Sequence, residues 1–524
     1  MKRKCAAFCA AALLGGLCGM ASTAAAVDFK IKGVWINMFE CGDGGNFTRK
    51  DRDGNKPLGW GRWGEDRFEA KTRVRLQLDA VASENLSGTV YFEMGSIPWG
   101  RANRGGALGA DGTIVKIKHS YLDWTVPNTA IHSRMGIQRI HLPDYSVEAS
   151  QVFDADVAGV NVTIPFNDNI SLTAFWARPF NDNWDGGAKG YANYLDNADL
   201  FGLMLPLSFD GFRLTPWAMV GGFGRNAFRS GSAVPPTYYN YNVNEGISYG
   251  LGLSPSAYAD DGRENTYSYA TGIWAGVTGD YTGADPFRLA WSFNYGAVDT
   301  GEAALNRRGW YASLLAEYKM DWGTPGIYGW YSSGDDNDPA NGSERLPNFE
   351  KNNESTSGLT SIATLGTWTL GRDAVLGSTL AGTWGLGLRL RDVSFFENLK
   401  HTLHVNYYQG TNSSGMARYV KGAPSRYNIV HPNCERPRDR ADFNTADYYG
   451  LYLTDKDKAF EVGLASRYQI YENLTMLVEA NYIALWLDNS RSVWGGFTDG
   501  NGVYRHANST EDLWNVNLSF IYKF

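Results

Sequence analysis

A possible nucleophile lies in the stretch GISYG, residues 246–250, which matches the G-x-S-x-G pattern of serine hydrolases. That pattern requires a strand before the serine and a helix after it. Here a Tyr- and Asn-rich segment precedes the stretch, and Leu-Gly-Leu-Ser-Pro follows it. We therefore predict no catalytic serine and no enzymatic activity.

Metal-binding residue types occur in three other stretches. His401 and His404 have the spacing of one helix face, but on a strand this odd spacing places them on opposite faces. Residues 51–55 (DRDGN) and 335–338 (DDND) are rich in oxygen ligands, although neither fits the EF-hand pattern. Each is either a weak loop-bound Ca²⁺ site or a solvated loop. No phosphate-binding glycine loop or zinc spacing follows residue 26, so we predict no other cofactor.

Residues 1–26 have the charge order of an export signal. MKRK precedes an apolar run and then ASTAAA, which predicts a secretory signal peptide cleaved after Ala26. Its removal takes away three of the 48 basic residues and none of the 55 acidic ones, so the net charge falls from −7 to −10. This balance gives no indication of a nucleic-acid partner. Cys41 and Cys434 remain, either as one disulfide or as two free thiols.

The rest of the chain alternates between apolar and polar residues. In residues 67–80, Phe68 and every second residue after it are small or apolar, and Arg67, Glu69 and most of the residues between are charged or polar. A period of two predicts a strand, and this one is longer than the usual ~5–6 residues. Residues 384–391, 460–470 and 476–482 repeat the pattern. No second run of 18 apolar residues exists, but a strand crosses a membrane with only ~10 residues.

Connections of two kinds separate these strands. Eight are short turns, at 84–87, 127–128, 168–171, 210–211, 283–285, 322–325, 397–400 and 472–475. Nine are long and polar, at 41–66, 97–112, 140–157, 181–197, 222–266, 299–307, 333–376, 411–456 and 488–510. The pattern predicts an all-β fold: one closed antiparallel transmembrane β-barrel domain over 27–524 with about 18 strands, short periplasmic turns and long extracellular loops. The stretch LTSIATLGTWTL within 333–376 leaves 16 or 20 strands as alternatives.

The signal peptide, the alternation across 27–524 and the terminal Phe524 resemble the bacterial outer-membrane porins. KIKHSYLDW (116–124), RMGIQ (134–138) and the acidic, Pro-containing loop after them resemble the homotrimeric porins of sulfate-reducing bacteria. The resemblance implies a homotrimer in the bacterial outer membrane, in contact with its lipid and lipopolysaccharide. It implies water-filled channels for passive diffusion of small hydrophilic solutes and ions. It also implies that barrel-assembly machinery recognises Phe524 and that a third long loop forms a constriction.

A candidate constriction can be assigned to residues 140–158. This loop is expected to carry an acidic face formed by Asp144, Glu148, Asp154 and Asp156. Opposite it, the alternation points six cations into the lumen, namely Lys71, Arg73, Arg75, Arg134, Arg389 and Arg391. An acidic loop facing a basic wall would set a transverse field across a narrow opening. The alternative is that these are solvated lumen charges far from any constriction.

Three functions are compatible with these features. The first is a passive channel, and the second is a channel selective for a sugar, an organic acid or an oxyanion, which the Tyr-rich loop at 222–266 favours. The third is a barrel-anchored adhesin or surface enzyme, for which a charged inner wall has little use. In the final strand, residues 514–524, the even-numbered positions are expected to face lipid and the odd-numbered ones the lumen.

Overall fold

The structure, a computed structural model, describes most of the chain after residue 26. The described residues are 27–42, 67–102, 105–109, 115–147, 149–181, 197–224, 269–301, 303, 306–338, 340–349, 380–416, 453–488, 490, 496–498, 504–506 and 512–524. They contain no helix of the length and apolarity that a membrane crossing needs. The predicted signal peptide, the GISYG stretch, residues 51–55, Glu148 and Cys434 lie outside the described residues.

All the elements within the described residues are strands. They are β1 (Asp28–Gly42), β2 (Arg67–Ser83), β3 (Leu86–Pro98), β4 (Val115–Thr125), β5 (His132–His141), β6 (Asp154–Asn167), β7 (Ile170–Asn181), β8 (Asn197–Met204), β9 (Leu207–Phe209), β10 (Phe212–Gly224), β11 (Tyr269–Ala284), β12 (Phe287–Asp299), β13 (Arg307–Tyr318), β14 (Thr324–Ser332), β15 (Thr383–Phe396), β16 (Leu399–Gly410), β17 (Lys458–Tyr471), β18 (Leu474–Trp486), β19 (Gly496–Thr498), β20 (Tyr504–His506) and β21 (Leu513–Lys523).

The wall closes on itself. Each wall strand pairs antiparallel with its neighbours in the chain, and β1 pairs with both β2 and β21. β8 and β9 lie on the same two neighbours, β7 and β10, so they form one strand interrupted at Leu205-Pro206. β19 and β20 form a separate hairpin. The wall therefore has the predicted eighteen strands.

The alternatives of 16 and 20 strands are wrong because β14 pairs directly with β15. Thr324–Tyr331 lie against Trp384–Arg391 in continuous register. A strand formed by the intervening loop would have to separate these two, and the ladder leaves no place for it.

All eight predicted short turns join neighbouring strands at one rim, which we call the short-turn rim; the opposite one is the long-loop rim. Asn128 and Asn398 in these turns have φ values of 60° and 63°. Asn tolerates this left-handed conformation better than most residues. These two asparagines adopt it, whereas Asn85, Asn169 and Asn473 in the other short turns do not have a positive φ.

The two faces of the wall differ as the alternation predicts. On β1, Phe29, Ile31 and Trp35 point outward and are exposed. On β21, the side chains of Asn515, Asn517 and Ser519 are buried on the inner face. The outer face of β21 includes the exposed residues Val516, Tyr522 and Phe524. Gly33 N donates to Phe524 O at 2.8 Å, so the last residue is held at the closure of the barrel.

The inner face is less polar than expected. A large apolar cluster lies inside the barrel and includes Phe153, Trp274, Tyr311, Leu346 and Phe349. It combines inward side chains of the wall with residues of loops that enter the lumen. A continuous charged inner wall was therefore a wrong expectation, because part of the wall packs against protein and not against water.

Candidate functional site

The third long loop contacts the inner face of the wall and is shorter than the predicted 140–158. It spans residues 142–153, between β5 and β6. Tyr145 N donates to Thr278 Oγ1 on β11 at 2.9 Å, and Tyr145 OH lies 2.8 Å from Thr215 Oγ1 on β10. The hydroxyls of Ser146 and Ser313 are 2.5 Å apart. The loop thus reaches the inner faces of β10, β11 and β13.

Asp144 stabilises this loop from within. Its Oδ1 accepts hydrogen bonds from Ser146 N at 3.0 Å, Ser146 Oγ at 2.8 Å and Val147 N at 3.1 Å. The side chain is buried, and burial raises the pKa of its carboxyl despite these bonds. Asp144 therefore does not face open lumen, contrary to the expected acidic face.

Asp154 and Asp156 lie at the start of strand β6 and not in the loop. Asp154 accepts two hydrogen bonds from Arg139, both at 2.8 Å. Asp156 lies 2.5 Å from Lys118 Nζ and 2.8 Å from His119 Nε2. The two acids therefore do meet basic residues, but these lie on β5 (Arg139) and β4 (Lys118 and His119), and the sequence analysis selected none of them.

The predicted cations of β2 face the lumen and have nearby partners. Lys71 Nζ lies 2.5 Å from Glu40 Oε1 and 2.8 Å from Glu69 Oε2. Arg75 Nε donates to Glu93 Oε2 at 2.7 Å, and Arg73 also lies near this carboxylate. The sequence analysis placed Glu69 on the charged face but missed Glu40 and Glu93, although the alternation along β1 and β3 also points these two side chains inward.

Arg134 lies at a different level of the barrel. Both ends of its guanidinium donate to Asp123 at 2.8 Å. Through the strand register it is level with Val81, at the short-turn end of β2. It therefore lies below Arg73 and Arg75 and does not share one ring with them.

Arg389 and Arg391 join a row of charges near the short-turn rim. Glu317 on β13 accepts from Arg389 at 2.8 Å, from Arg391 at 3.2 Å and from Arg288 at 2.9 Å. Asp280 on β11 accepts from Arg288 at 2.9 Å and from Arg213. We call the six residues Arg213, Asp280, Arg288, Glu317, Arg389 and Arg391 the charged row.

The charged row contacts the third loop from the side of the short-turn rim. Arg288 donates to Tyr145 O at 3.2 Å, and the Arg213 guanidinium lies 4.8 Å from the centre of the Tyr145 ring. Single charges within apolar strands, as in FRLAW (287–291), were the available signal for these residues. Their pairing across strands was not readable without the register.

A second of the predicted long loops, 333–376, also enters the lumen with its described residues 343–349. Buried Arg307 donates to Arg345 O and Leu346 O, both at 3.1 Å. Trp274 Nε1 donates to Pro347 O at 2.8 Å. Phe349 N donates to Val152 O at 2.9 Å, which places residues 343–349 directly on the third loop. The two loops and the inward side chains of the wall together form the apolar cluster on the long-loop side of the charged row.

The described residues give no support for a metal site. No three His, Cys, Asp or Glu side chains within them are arranged to hold an ion. His404 bonds to Glu461 at 2.7 Å on the inner face, whereas His401 bonds to Ser466 on the opposite face. At 335–338, Asp336 accepts from Asp338 N and from Asn341 Nδ2. Cys41 lies near the end of β1, and its proposed bridge to Cys434 remains a prediction.

Comparison with known proteins adds little. No protein-family model and no curated protein matches the chain. Solved structures with a similar course include the outer-membrane protein OpdK of Pseudomonas aeruginosa, with 9% identity over 95% of this chain and 98% of that one, at a TM-score of 0.48. OccAB2 of Acinetobacter baumannii has 11% identity over 95% and 98% of the two chains at a TM-score of 0.47. OmpT of Vibrio cholerae, described in a trimer form, has 10% identity over 95% and 100% at 0.38. Similarity this weak carries no argument about this chain, and the likeness to porins of sulfate-reducing bacteria stays a prediction.

Proposed function

We propose that this protein is a porin: a water-filled channel in a bacterial outer membrane through which small hydrophilic solutes and ions diffuse passively. The observation that carries the proposal is the closed wall of eighteen antiparallel strands, apolar outside and charged over part of its inside. In lipid every backbone polar group needs an internal partner, and a closed barrel provides one.

The outer surface supports a membrane location. Exposed aromatic side chains lie at both ends of the strands. Those at the short-turn rim include Phe209, Phe287, Phe396, Tyr471 and Phe524, and those at the long-loop rim include Phe68, Tyr269, Trp310, Tyr331 and Trp486. Two aromatic girdles around an apolar band are typical of outer-membrane barrels. Export through a cleaved signal peptide at 1–26 belongs to the same proposal.

The part of the lumen beside β2, β3 and β4 supports a water-filled path. Lys71, Arg75 and Lys118 keep about a fifth of their side-chain surface exposed although each contacts an acid. Ionised groups without water are costly, so this sector is the place for a hydrated path. The third loop then acts as the constriction, and Arg73 and Arg75 act as part of its wall.

A homotrimer, recognition of Phe524 by barrel-assembly machinery and contact with lipopolysaccharide complete the proposal. No interface among the described residues identifies the trimer. A display role, as an adhesin or surface enzyme, is less well supported, because loops committed to display would not need to fill the lumen.

Planar-bilayer recording tests the channel. Purified protein lacking residues 1–26 is inserted, and folding is checked by heat-modifiable gel mobility. Conductance in steps, grouped in threes for a trimer, is expected. A folded and inserted sample without conductance would exclude a channel, and single steps would exclude only the trimer.

A further inference from the structure

A cavity of about 340 Å³ lies beneath the third loop. Its polar lining comes from β5, β6, β10 and the loop itself, and Met204 and Pro206 add an apolar patch. The polar side chains include Arg134, Gln138, Tyr145, Asn161, Thr163 and Thr215, and the basic residues His132, Arg139 and His141 also line the cavity. We call this cavity the amide pocket, after Gln138 and Asn161.

Two acceptor atoms in the amide pocket have no donor among the described protein groups. Gln138 is 1% exposed; its Nε2 donates to Arg134 O at 3.2 Å and to Gly159 O at 3.1 Å. These bonds fix the amide, but Gln138 Oε1 accepts nothing, and Asn161 Oδ1 is also buried without a donor. Buried acceptors without donors are costly, so the pocket favours a solute that brings O–H or N–H groups.

The charge of the two lining arginines is balanced by carboxylates outside the pocket, and Arg139 donates to Asp154 from two nitrogens at 2.8 Å. Arg134 donates with both ends to Asp123 at 2.8 Å, and His132 Nε2 lies 3.5 Å from the same carboxylate. An arginine held in this way has little charge left for a free anion. This balance favours a neutral solute over a carboxylate or oxyanion.

The remaining groups suit a solute with hydroxyls and a carbon skeleton. Tyr145 OH and Thr215 Oγ1 bond to each other, and each hydroxyl can make one further bond. Met204 and Pro206 offer C–H surface beside them. The volume is at the lower end of the ~300–1,000 Å³ of small-molecule sites, which suits a solute of monosaccharide size.

We propose that the amide pocket is a binding subsite for a small neutral sugar or polyol. The subsite rests on the proposed channel function and makes it more specific, since a bound solute would lie directly below the constriction. Binding should therefore obstruct ion flow in a saturable way.

Ion current measured while glucose or sorbitol is added tests the subsite. We expect the current, relative to the sugar-free current of the same channel, to fall to a plateau. Polyethylene glycol of similar size should change the current only in proportion to its concentration. In Asn161→Leu and Gln138→Leu the half-saturating sugar concentration should rise at least about fivefold, which is the loss of one buried hydrogen bond.

Asn294→Leu is the matched control. Asn294 on β12 is buried like Gln138, and its Oδ1 also lacks a donor, but it does not line the pocket. Its half-saturating concentration should equal that of the unchanged chain. Thr215→Val, which loses only a hydroxyl, provides a milder test if the amide variants do not fold.

The possible outcomes are distinct. A channel that conducts but shows no saturation with sugar would overturn the subsite and leave the channel intact. Equal shifts in Asn161→Leu and Asn294→Leu would also overturn it, and so would tighter binding of gluconate than of sorbitol, which would indicate an anion site. Loss of all conductance in the unchanged chain would instead overturn the channel.

Discussion

Two sectors of the lumen follow the same strand pattern and have opposite chemistry. In the sector of β2, β3 and β4, inward positions carry paired charges that remain partly exposed. In the sector of β10 to β15, inward positions above the charged row include large apolar side chains, such as Trp274 and Tyr311, and both are fully buried. The alternation therefore determines which face a residue is on, and the loops determine what that face meets.

Substitutions in the two sectors should also have different effects on ion flow and on stability. Residues of the charged sector contact water and each other, so changing one should alter ion flow more than stability. Residues of the apolar sector hold two loops in place, so changing one should alter stability and the width of the channel together.

The largest effect, on the amount of folded protein, is expected from deleting Phe524. This deletion should impair assembly of the barrel, on which both sectors depend. Its backbone pairs with Gly33, with Phe524 N donating to Gly33 O at 3.1 Å. If assembly machinery reads the terminal aromatic ring, the amount of folded barrel should fall severalfold, measured by heat-modifiable mobility. Phe524→Tyr is the control and should assemble normally. Normal assembly of the deletion would remove this role from Phe524 and leave the comparison of sectors unchanged.

Trp274→Ala should have the next largest effect, because it should disrupt the packing of the apolar sector. The ring is fully buried, and its Nε1 holds Pro347 O. Truncation should cost about 3–5 kcal/mol and release residues 343–349. We expect a lower urea midpoint of unfolding and a higher conductance.

Tyr91→Ala is the matched change in the charged sector. Tyr91 is only partly buried and packs on His119 with ring centres 5.3 Å apart, so the cost should be about 1 kcal/mol. Equal losses of stability in the two variants would show that the sectors do not differ as described.

The fold could be predicted from the sequence because a barrel wall obeys a local rule. The period of two, the turns with Asn398 and Asn473, and the parity of Asn515 to Ile521 needed no long-range information. The faces of His401 and His404 followed from the same rule. The eighteen-strand count followed from the turns.

The site was predicted only in part, because depth and loop packing are not local. The alternation along β5 placed Arg134 on the inner face of the wall. It could not show that Arg134 lies closer to the short-turn rim than Arg75 does. Acidity suggested that Asp144 faces water, whereas its carboxylate caps a buried turn. Residues 343–349 look like a polar surface loop, and only Arg307 and Trp274 on distant strands draw them into the lumen.

Arg73→Glu with Arg75→Glu should alter the charged sector alone. Reversing two wall charges should move the reversal potential in a salt gradient toward the cation side, with conductance changed less. Lys319→Glu with Lys400→Glu makes the same charge change at the short-turn rim and should shift the potential less. An unchanged potential in the arginine variant would place both side chains away from the constriction.

The smallest effect concerns the loop that closes the apolar sector. Desolvation raises the pKa of Glu344 to about 7, with Asp335 and Asp336 adding to the shift, and its Oε2 accepts from Asp336 N at 2.9 Å. A carboxyl with a raised pKa favours the fold when protonated, so the loop should gain stability as the pH falls below about 7 and lose it as the pH rises above. Current noise from loop motion should therefore be lower at pH 6 than at pH 8 if residues 343–349 border the path. Glu344→Gln should give the quieter current at both pH values, whereas Asp338→Asn, an exposed acid nearby, should keep the pH dependence. The same pH dependence in Glu344→Gln as in the unchanged chain would assign it to another group and leave this loop without a titrating carboxyl.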